Sequence, residues 1–193
     1  MTGMLGVSLV HRGDLALGGG DVIAFAVAWG WLLAMLGLTL FVGLVLVTQL
    51  REPGFPLAEV APLPKPVVPL IALEGSAFLG LGLGLIVRPD FWGELVPWSV
   101  STIDSRALGV WCLTLGVALL QALVEADLDR VGPGLLALTS IGTLGLIGMA
   151  WHHSDIAWAT WTAPIAVGLL VGLLATGVVG SVLLRRARAA TTA

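Results

Sequence analysis

Residues 168–184 read GLLVGLLATGVVGSVLL, an apolar run without a charged side chain. A helix that rises 1.5 Å per residue needs about 17–25 apolar residues to cross about 30 Å of hydrocarbon. Because lipid offers the backbone no hydrogen-bonding partners, such a run is expected to be helical. Five runs of this kind cover the chain, at about residues 22–50, 67–87, 107–124, 134–151 and 157–184. The sequence therefore predicts an all-α, polytopic integral membrane protein with five transmembrane helices.

The composition favours the same class of protein. The 193 residues are 58% hydrophobic and 11% charged, against about 25% charged in a typical soluble domain. A membrane β-barrel would show strands that alternate apolar and polar residues over about 10 positions, and residues 168–184 do not alternate. The single cysteine, Cys112, excludes an intrachain disulfide and a cysteine zinc site. The net charge of −3 offers no basic surface for nucleic acid.

Lysine and arginine in the loops predict the orientation, because cytoplasmic loops carry the excess of basic residues. With the C-terminus inside, the inner face carries six basic residues and the outer face three, Arg12, Arg88 and Arg106. We expect an outer N-terminal tail at 1–21, one transmembrane domain at 22–184 and a basic inner tail at 185–193. Lys65 is the only lysine, a usage typical of GC-rich bacterial genomes. The predicted location is a bacterial cytoplasmic membrane.

All eight tryptophans fall toward the predicted outer face. Indole rings concentrate at the headgroup boundary, so a one-sided aromatic belt is the simpler interpretation. The alternative is an aromatic-lined outer cavity, since binding pockets are rich in aromatic side chains. The candidate ligand-binding residues of such a cavity are Trp92, Trp98, Arg106, Trp111, Trp158 and Trp161.

The outer loop that precedes the third span carries the clearest local motif. Ser101-Thr102-Ile103-Asp104 is a capping box and predicts a helix that begins near Thr102. Val96-Pro97-Trp98, followed by Ser105-Arg106-Ala107-Leu108-Gly109-Val110-Trp111, resembles a group of uncharacterised bacterial multi-pass proteins. In that group a Trp-Pro-Trp element precedes Ala-Arg-x-x-Gly-x-Trp, so Val96 and Ser105 depart from its pattern. The resemblance implies a membrane fold and no particular activity.

Glu74 is the one ionisable residue well inside a predicted span. A carboxyl at that depth costs a few kcal/mol unless it is protonated, paired or hydrated. Gln121, Thr114, Thr39 and Thr48 are candidate hydrogen-bond partners. A structural bond between helices is one interpretation, and proton or ion handling is the other.

Met149 to Asp155 contains a second cluster of polar side chains. His152, His153 and Asp155 are weak candidates for a copper or zinc site. Adjacent histidines project about 100° apart on a helix, so both bind one ion only if the helix ends there. Ser154 beside His153 and Asp155 lacks the geometry of a hydrolase triad. We predict no catalytic residue and no cofactor.

Small residues on the fifth span indicate close helix contacts. Gly168, Gly172 and Gly180, with Thr176 between them, recur at four-residue spacing. This pattern allows backbones to approach, either within the chain or across a homodimer. Residues 51–66 contain five prolines and predict a stiff spacer.

The sequence favours a non-enzymatic accessory or interaction protein. Its expected partners are the lipid bilayer and another membrane protein or a second copy. The alternative is a protein that binds or transports a small apolar ligand or lipid at the outer tryptophans, with Glu74 handling protons or ions. An enzyme is the third and weakest interpretation.

Overall fold

The computed structural model describes residues 2–15, 17–19, 21–51 and 61–191, so most of the proline-rich segment lies outside the described residues. The chain forms two compact units, Met1–Leu57 and Ala58–Ala193. Each unit is helical, and the described residues form no β-strand.

Unit 1 pairs a short helix with a long one. Helix α1 spans Thr2–Val10 and helix α2 spans Val22–Arg51. Trp31 Nε1 on α2 donates a hydrogen bond to Ser8 Oγ on α1 at 3.0 Å. Asp21 Oδ1 accepts from the Ile23 amide at 3.3 Å, so it satisfies one free N–H at the start of α2. The predicted tail at 1–21 thus contains a helix that packs on α2.

Unit 2 contains the remaining helices. They are α3 (Val68–Val87), α4 (Pro89–Gly93), α5 (Thr102–Glu125), α6 (Gly132–Trp151) and α7 (Thr162–Thr191). Helices α2, α3, α5, α6 and α7 are long and apolar enough to cross a membrane. The prediction of an all-helical chain with five such helices is therefore confirmed.

Three helix ends differ from the predicted spans by five residues or more: the start of α5 and both ends of α7. Helix α5 begins at Thr102, as the capping box predicts: Ser101 Oγ accepts from the Asp104 amide, and Asp104 Oδ2 accepts from the Ser101 amide, each at 3.2 Å. Helix α7 begins at Thr162 and not at 157, because turns occupy the preceding residues. It also continues to Thr191, since alanine and arginine are strong helix formers. The predicted tail at 185–193 is thus helical through Thr191.

The helices of unit 2 pack as two hairpins, α3 with α5 and α6 with α7. Glycines bring the backbones together. A Cβ added to Gly82 would lie 2.5 Å from the Leu113 amide nitrogen, and one added to Gly116 would lie 2.6 Å from that of Leu79. In the second hairpin, a Cβ on Gly142 would lie 2.7 Å from the Leu174 nitrogen, and one on Gly177 would lie 2.6 Å from the Leu135 oxygen. Side chains larger than hydrogen would separate each pair.

The core of unit 2 draws on both hairpins. It contains six buried apolar side chains: Ile71, Phe78, Cys112, Leu119, Leu138 and Leu173. Since α3, α5, α6 and α7 all contribute, the two hairpins share one core.

One end of unit 2, here called the arginine end, consists of residues 61–67, the α5–α6 turn and the last turns of α7. The Leu128 amide donates to the Ala61 oxygen, and the Leu63 amide donates to the Ala126 oxygen, each at 2.8 Å. Asp127 Oδ1 accepts from the Ala61 amide at 3.2 Å. The segment before α3 is therefore joined to the α5–α6 turn.

Arg188 ties the last turns of α7 to the same turn. Its Nε and Nη2 donate to Asp129 Oδ1 at 2.8 and 2.6 Å. This contact joins the helical extension beyond residue 184 to the α5–α6 turn.

The glycine contacts predict a matched pair of variants. Gly82→Ala should destabilise unit 2 by about 1–3 kcal/mol, because the new methyl group overpacks a backbone contact. Gly80→Ala, two residues away, should be neutral or slightly stabilising, because nothing lies within 4 Å of its added Cβ. Thermal or SDS unfolding of the purified protein in detergent measures both. Equal effects of the two variants would contradict the proposed close approach of α3 and α5.

Candidate functional site

The opposite end of unit 2, here called the tryptophan end, is made of the two hairpin connections, residues 88–101 and 152–161. Helix α4 turns the chain directly after α3. The Trp92 ring packs over Gly84, where a Cβ would collide with the indole. The Leu95 amide donates to the Trp92 oxygen and the Val96 amide to the Gly93 oxygen. The connection is thus folded back against α3 and α5.

A single backbone hydrogen bond links the two connections. The Ala157 amide donates to the Pro97 oxygen at 2.7 Å. The adjacent Trp98 packs against a small cluster of buried side chains, Met149, Ile156 and Ala163. The first connection, residues 88–101, therefore contacts the second hairpin as well as the helices α3 and α5 that it joins.

A cavity of about 510 Å³ lies in the first connection and the start of α5. Its size is within the range of small-molecule sites. The polar side chains that line it are Asp90, Glu94, Ser99, Thr102 and Ser105, and Trp98 contributes the aromatic surface. The cavity is therefore acidic and hydroxyl-rich, with one indole.

The six predicted ligand-binding residues are not brought together. Trp98 lines the cavity, whereas Trp92 packs over Gly84. Trp111, Trp158 and Trp161 are exposed, and Trp158 Nε1 donates to the His153 oxygen at 2.7 Å. Arg106 is half-buried on α5 and is not among the residues that line the cavity.

The exposure of these rings supports the interpretation as an aromatic belt. Trp151, at the end of α6, is the most exposed tryptophan, with 81% of its surface accessible. Indole rings at the ends of long apolar helices have a polar N–H and an apolar body, which suits the headgroup boundary.

The histidine cluster forms a small surface contact. His152 Nδ1 lies 3.3 Å from Asp155 Oδ2, and both side chains are exposed. Ser154 Oγ donates to Asp155 Oδ1 at 3.5 Å. Within the described ranges, no three His, Cys, Asp or Glu side chains are grouped to hold a metal ion. His152, His153 and Asp155 remain weak metal candidates on sequence alone.

Glu74 lies between the two hairpins. Its side chain is 6% exposed, and its Oε2 accepts a hydrogen bond from Thr176 Oγ1 on α7 at 3.0 Å. Its Oε1 is buried without a hydrogen-bond partner. A Cβ on Gly172 would lie 2.6 Å from Oε1, so this glycine makes room for the carboxyl.

Two of the partners suggested for Glu74 from the sequence, Thr114 and Gln121, were wrong, because the structure shows both bonded within α5, whereas Thr39 and Thr48 belong to unit 1 and remain predictions. Thr114 Oγ1 donates to the Val110 oxygen. Gln121 Nε2 donates to Glu125 Oε1. Hydroxyls on a helix readily bond the carbonyl of the preceding turn, which removes them as partners for a distant carboxyl.

The three glycines suggested for a homodimer have different surroundings. Gly172 faces Glu74 and Gly180 faces Leu135, both within the chain, whereas Gly168 has nothing within 4 Å of an added Cβ. Two of the three are used in packing unit 2, and the homodimer remains a prediction.

Sequence reasoning did not pick out Asp90, Glu94 and Ser105 as one group, nor Thr176 as the partner of Glu74. The capping box beside Ser105 and the four-residue spacing of Asp90 and Glu94 were the available signals. Neither shows that Gly93 approaches Ser105, because that contact joins two helices.

No protein-family model matches the chain, and neither a curated protein nor a solved structure matches it. Function therefore has to be argued from the geometry of unit 2.

The bond between Glu74 and Thr176 predicts a measurable coupling between the hairpins. Thr176→Val should destabilise the protein by about 0.6–1.7 kcal/mol, the range of hydrogen bonds between membrane helices. The matched control is Thr143→Val, because Thr143 is exposed and bonds the Thr139 oxygen of its own helix. A double-mutant cycle with Glu74→Gln, followed by SDS unfolding, gives the coupling. A coupling of zero would rule out the bond.

Proposed function

We propose that this chain is a non-enzymatic integral membrane protein of a bacterial cytoplasmic membrane that acts as an accessory or interaction protein. The observation that carries the proposal is the position of Glu74. A carboxyl inside a membrane span is a functional candidate by default. Here it bonds Thr176 across the hairpins and lies against Gly172, so its geometry supports a structural role.

The packing around Glu74 also supports this role. A relay that moves protons or ions needs several polar groups in line or a hydrated path. Ile71 and Phe78, one turn to either side of Glu74 on α3, are buried in the apolar core, and Leu173 on α7 belongs to the same core. The carboxyl therefore lies beside the apolar core of unit 2, with one hydroxyl as its hydrogen-bond partner.

The second candidate function is binding or transport, with Glu74 in proton or ion handling. The observation that favours it is the unpartnered Glu74 Oε1. A second oxygen without a partner is what a transferable proton or cation would need.

Proton flux distinguishes the two functions. We expect proteoliposomes that contain the wild type to show no more proton entry than liposomes alone, measured with an internal pH-sensitive dye after a pH jump. Glu74→Gln should behave in the same way, because a structural carboxyl moves no charge. A flux that the wild type shows and Glu74→Gln lacks would replace the accessory role with transport.

The accessory role predicts a stable protein partner. Native mass spectrometry of the gently solubilised wild type should show this chain with another protein or a second copy. The Trp98→Ala and Trp158→Ala variants should keep that partner, because the accessory role does not depend on a ligand bound by these indoles. A bare monomer in a lipid nanodisc, confirmed by crosslinking in cells, would contradict the proposal.

The proposed orientation places the arginine end in the cytoplasm. A reporter fused after Ala193 should therefore be active only as a cytoplasmic reporter, such as green fluorescent protein. An active periplasmic phosphatase at that position would invert the orientation and would move the arginine end to the outer side.

A further inference from the structure

The arginine end of unit 2 carries cations of two kinds. Arg188 donates to Asp129 Oδ1, and Arg130 Nη1 lies 3.6 Å from Glu125 Oε2, so the α5–α6 connection supplies a carboxylate to each. Three other cations at this end are exposed: Lys65, Arg185 and Arg186. Among the residues that the structure describes, none of these three side chains makes a hydrogen bond or an ion pair. This end therefore presents positive charge with which no described carboxylate pairs.

The two free arginines continue an exposed apolar stripe of α7. Val178, Val182 and Arg186 follow one another at four-residue spacing, so they lie on one side of the helix. Both valines are exposed, whereas Leu184, on the opposite side, is buried. Helix α7 is long and apolar enough to cross a membrane, so its exposed valines face lipid. Arg185 and Arg186 directly follow the last apolar residue of this run, which places their guanidinium groups at the headgroup boundary.

Lys65 adds a cation to the same end. Leu63, two residues earlier, packs against the buried cluster that includes Leu184, and Ala187 packs against that cluster as well. The segment before α3 thus lies beside the last turns of α7. Lys65 is also the first residue of a candidate membrane span, so it borders the apolar region as the arginines do. Basic side chains at such a border attract anionic lipid.

The chemistry of these side chains selects a phosphate that keeps its net charge. A guanidinium group is planar and donates two parallel hydrogen bonds to phosphate oxygens, whereas a lysine ammonium acts as a point charge. A zwitterionic headgroup carries a cation of its own, which this surface repels. A headgroup without that cation, such as phosphatidylglycerol, is complementary to the surface.

We propose that Arg185 and Arg186, together with Lys65, form a binding surface for the phosphates of anionic phospholipids. The inference goes beyond the accessory role and does not depend on it, because lipid binding requires no protein partner. The two also fail separately: a chain that is found without a protein partner would still be expected to retain anionic lipid.

Lipid competition followed by native mass spectrometry tests the proposal on the full-length protein. The protein in detergent is mixed with equal amounts of phosphatidylglycerol and phosphatidylcholine that have the same acyl chains. The wild type should retain phosphatidylglycerol in preference. Arg185→Gln and Arg186→Gln should each lower the preference about fivefold, the effect of removing one basic residue from an anionic membrane surface. The double variant should bind the two lipids equally.

Two further variants separate the surface from other effects of charge. Arg185→Lys/Arg186→Lys should keep most of the preference, because it preserves both charges and removes only the planar donors. Arg88→Gln is the matched control and should leave the preference unchanged. It removes an exposed arginine at the tryptophan end, where Asp90 and Glu94 offset its charge. Glutamine is a good helix former, so both arginine-end glutamine variants should keep the wild-type unfolding temperature.

Four results would overturn the proposal. The first is equal retention of the two lipids by the folded wild type, and the second is a preference that survives in Arg185→Gln/Arg186→Gln. The third is a loss in Arg88→Gln as large as that in the arginine-end variants. The fourth is equal lipid retention together with a co-purifying protein that the double variant loses, which would assign these arginines to an acidic protein surface.

Discussion

The rest of unit 2 depends on the direct contact of helix backbones at glycine. Lipid tails are as apolar as leucine, so helices in a membrane gain little by burying apolar side chains and associate through close packing. Gly82 and Gly116 provide that contact between α3 and α5, and Gly142 and Gly177 provide it between α6 and α7. Once the pairs are fixed, the registers of all four helices follow.

These registers place the polar groups of unit 2. Thr176 comes opposite Glu74 only because α6 and α7 pack as one hairpin and α3 and α5 as the other. At the tryptophan end, the same packing brings Gly93 onto Ser105, and the bond from Ala157 to Pro97 holds the connection in place. At the arginine end, Asp129 holds Arg188. Polar contacts at both ends and one in the middle thus hold an otherwise apolar bundle.

Two buried polar atoms of unit 2, Glu74 Oε1 and Ser105 Oγ, have no hydrogen-bond partner, and their surroundings differ. Glu74 Oε1 is buried against Gly172, and Thr176 already donates a hydrogen bond to the other oxygen. Ser105 Oγ is buried against Gly93, where α5 meets the first connection. The first environment suits a structural bond between hairpins, and the second is a close contact of α5 with the chain that follows α3. Position within a predicted span alone would have favoured Glu74 as the functional residue, because an acid inside such a span is a strong functional signal in a sequence.

The sequence by itself determined the helices, because length, hydropathy and capping are local properties. Residues 168–184 can only be helical in lipid, and Ser101 with Asp104 fixed the start of α5. The tertiary structure alone decided the partner of Glu74, the pairing of the helices and the composition of the cavity. Glu74 and Thr176 are 102 residues apart. In a helix that is hydrophobic all round, the sequence does not show which face contacts the neighbouring helix. That face is selected by which glycines meet across the interface, which is a property of two helices together.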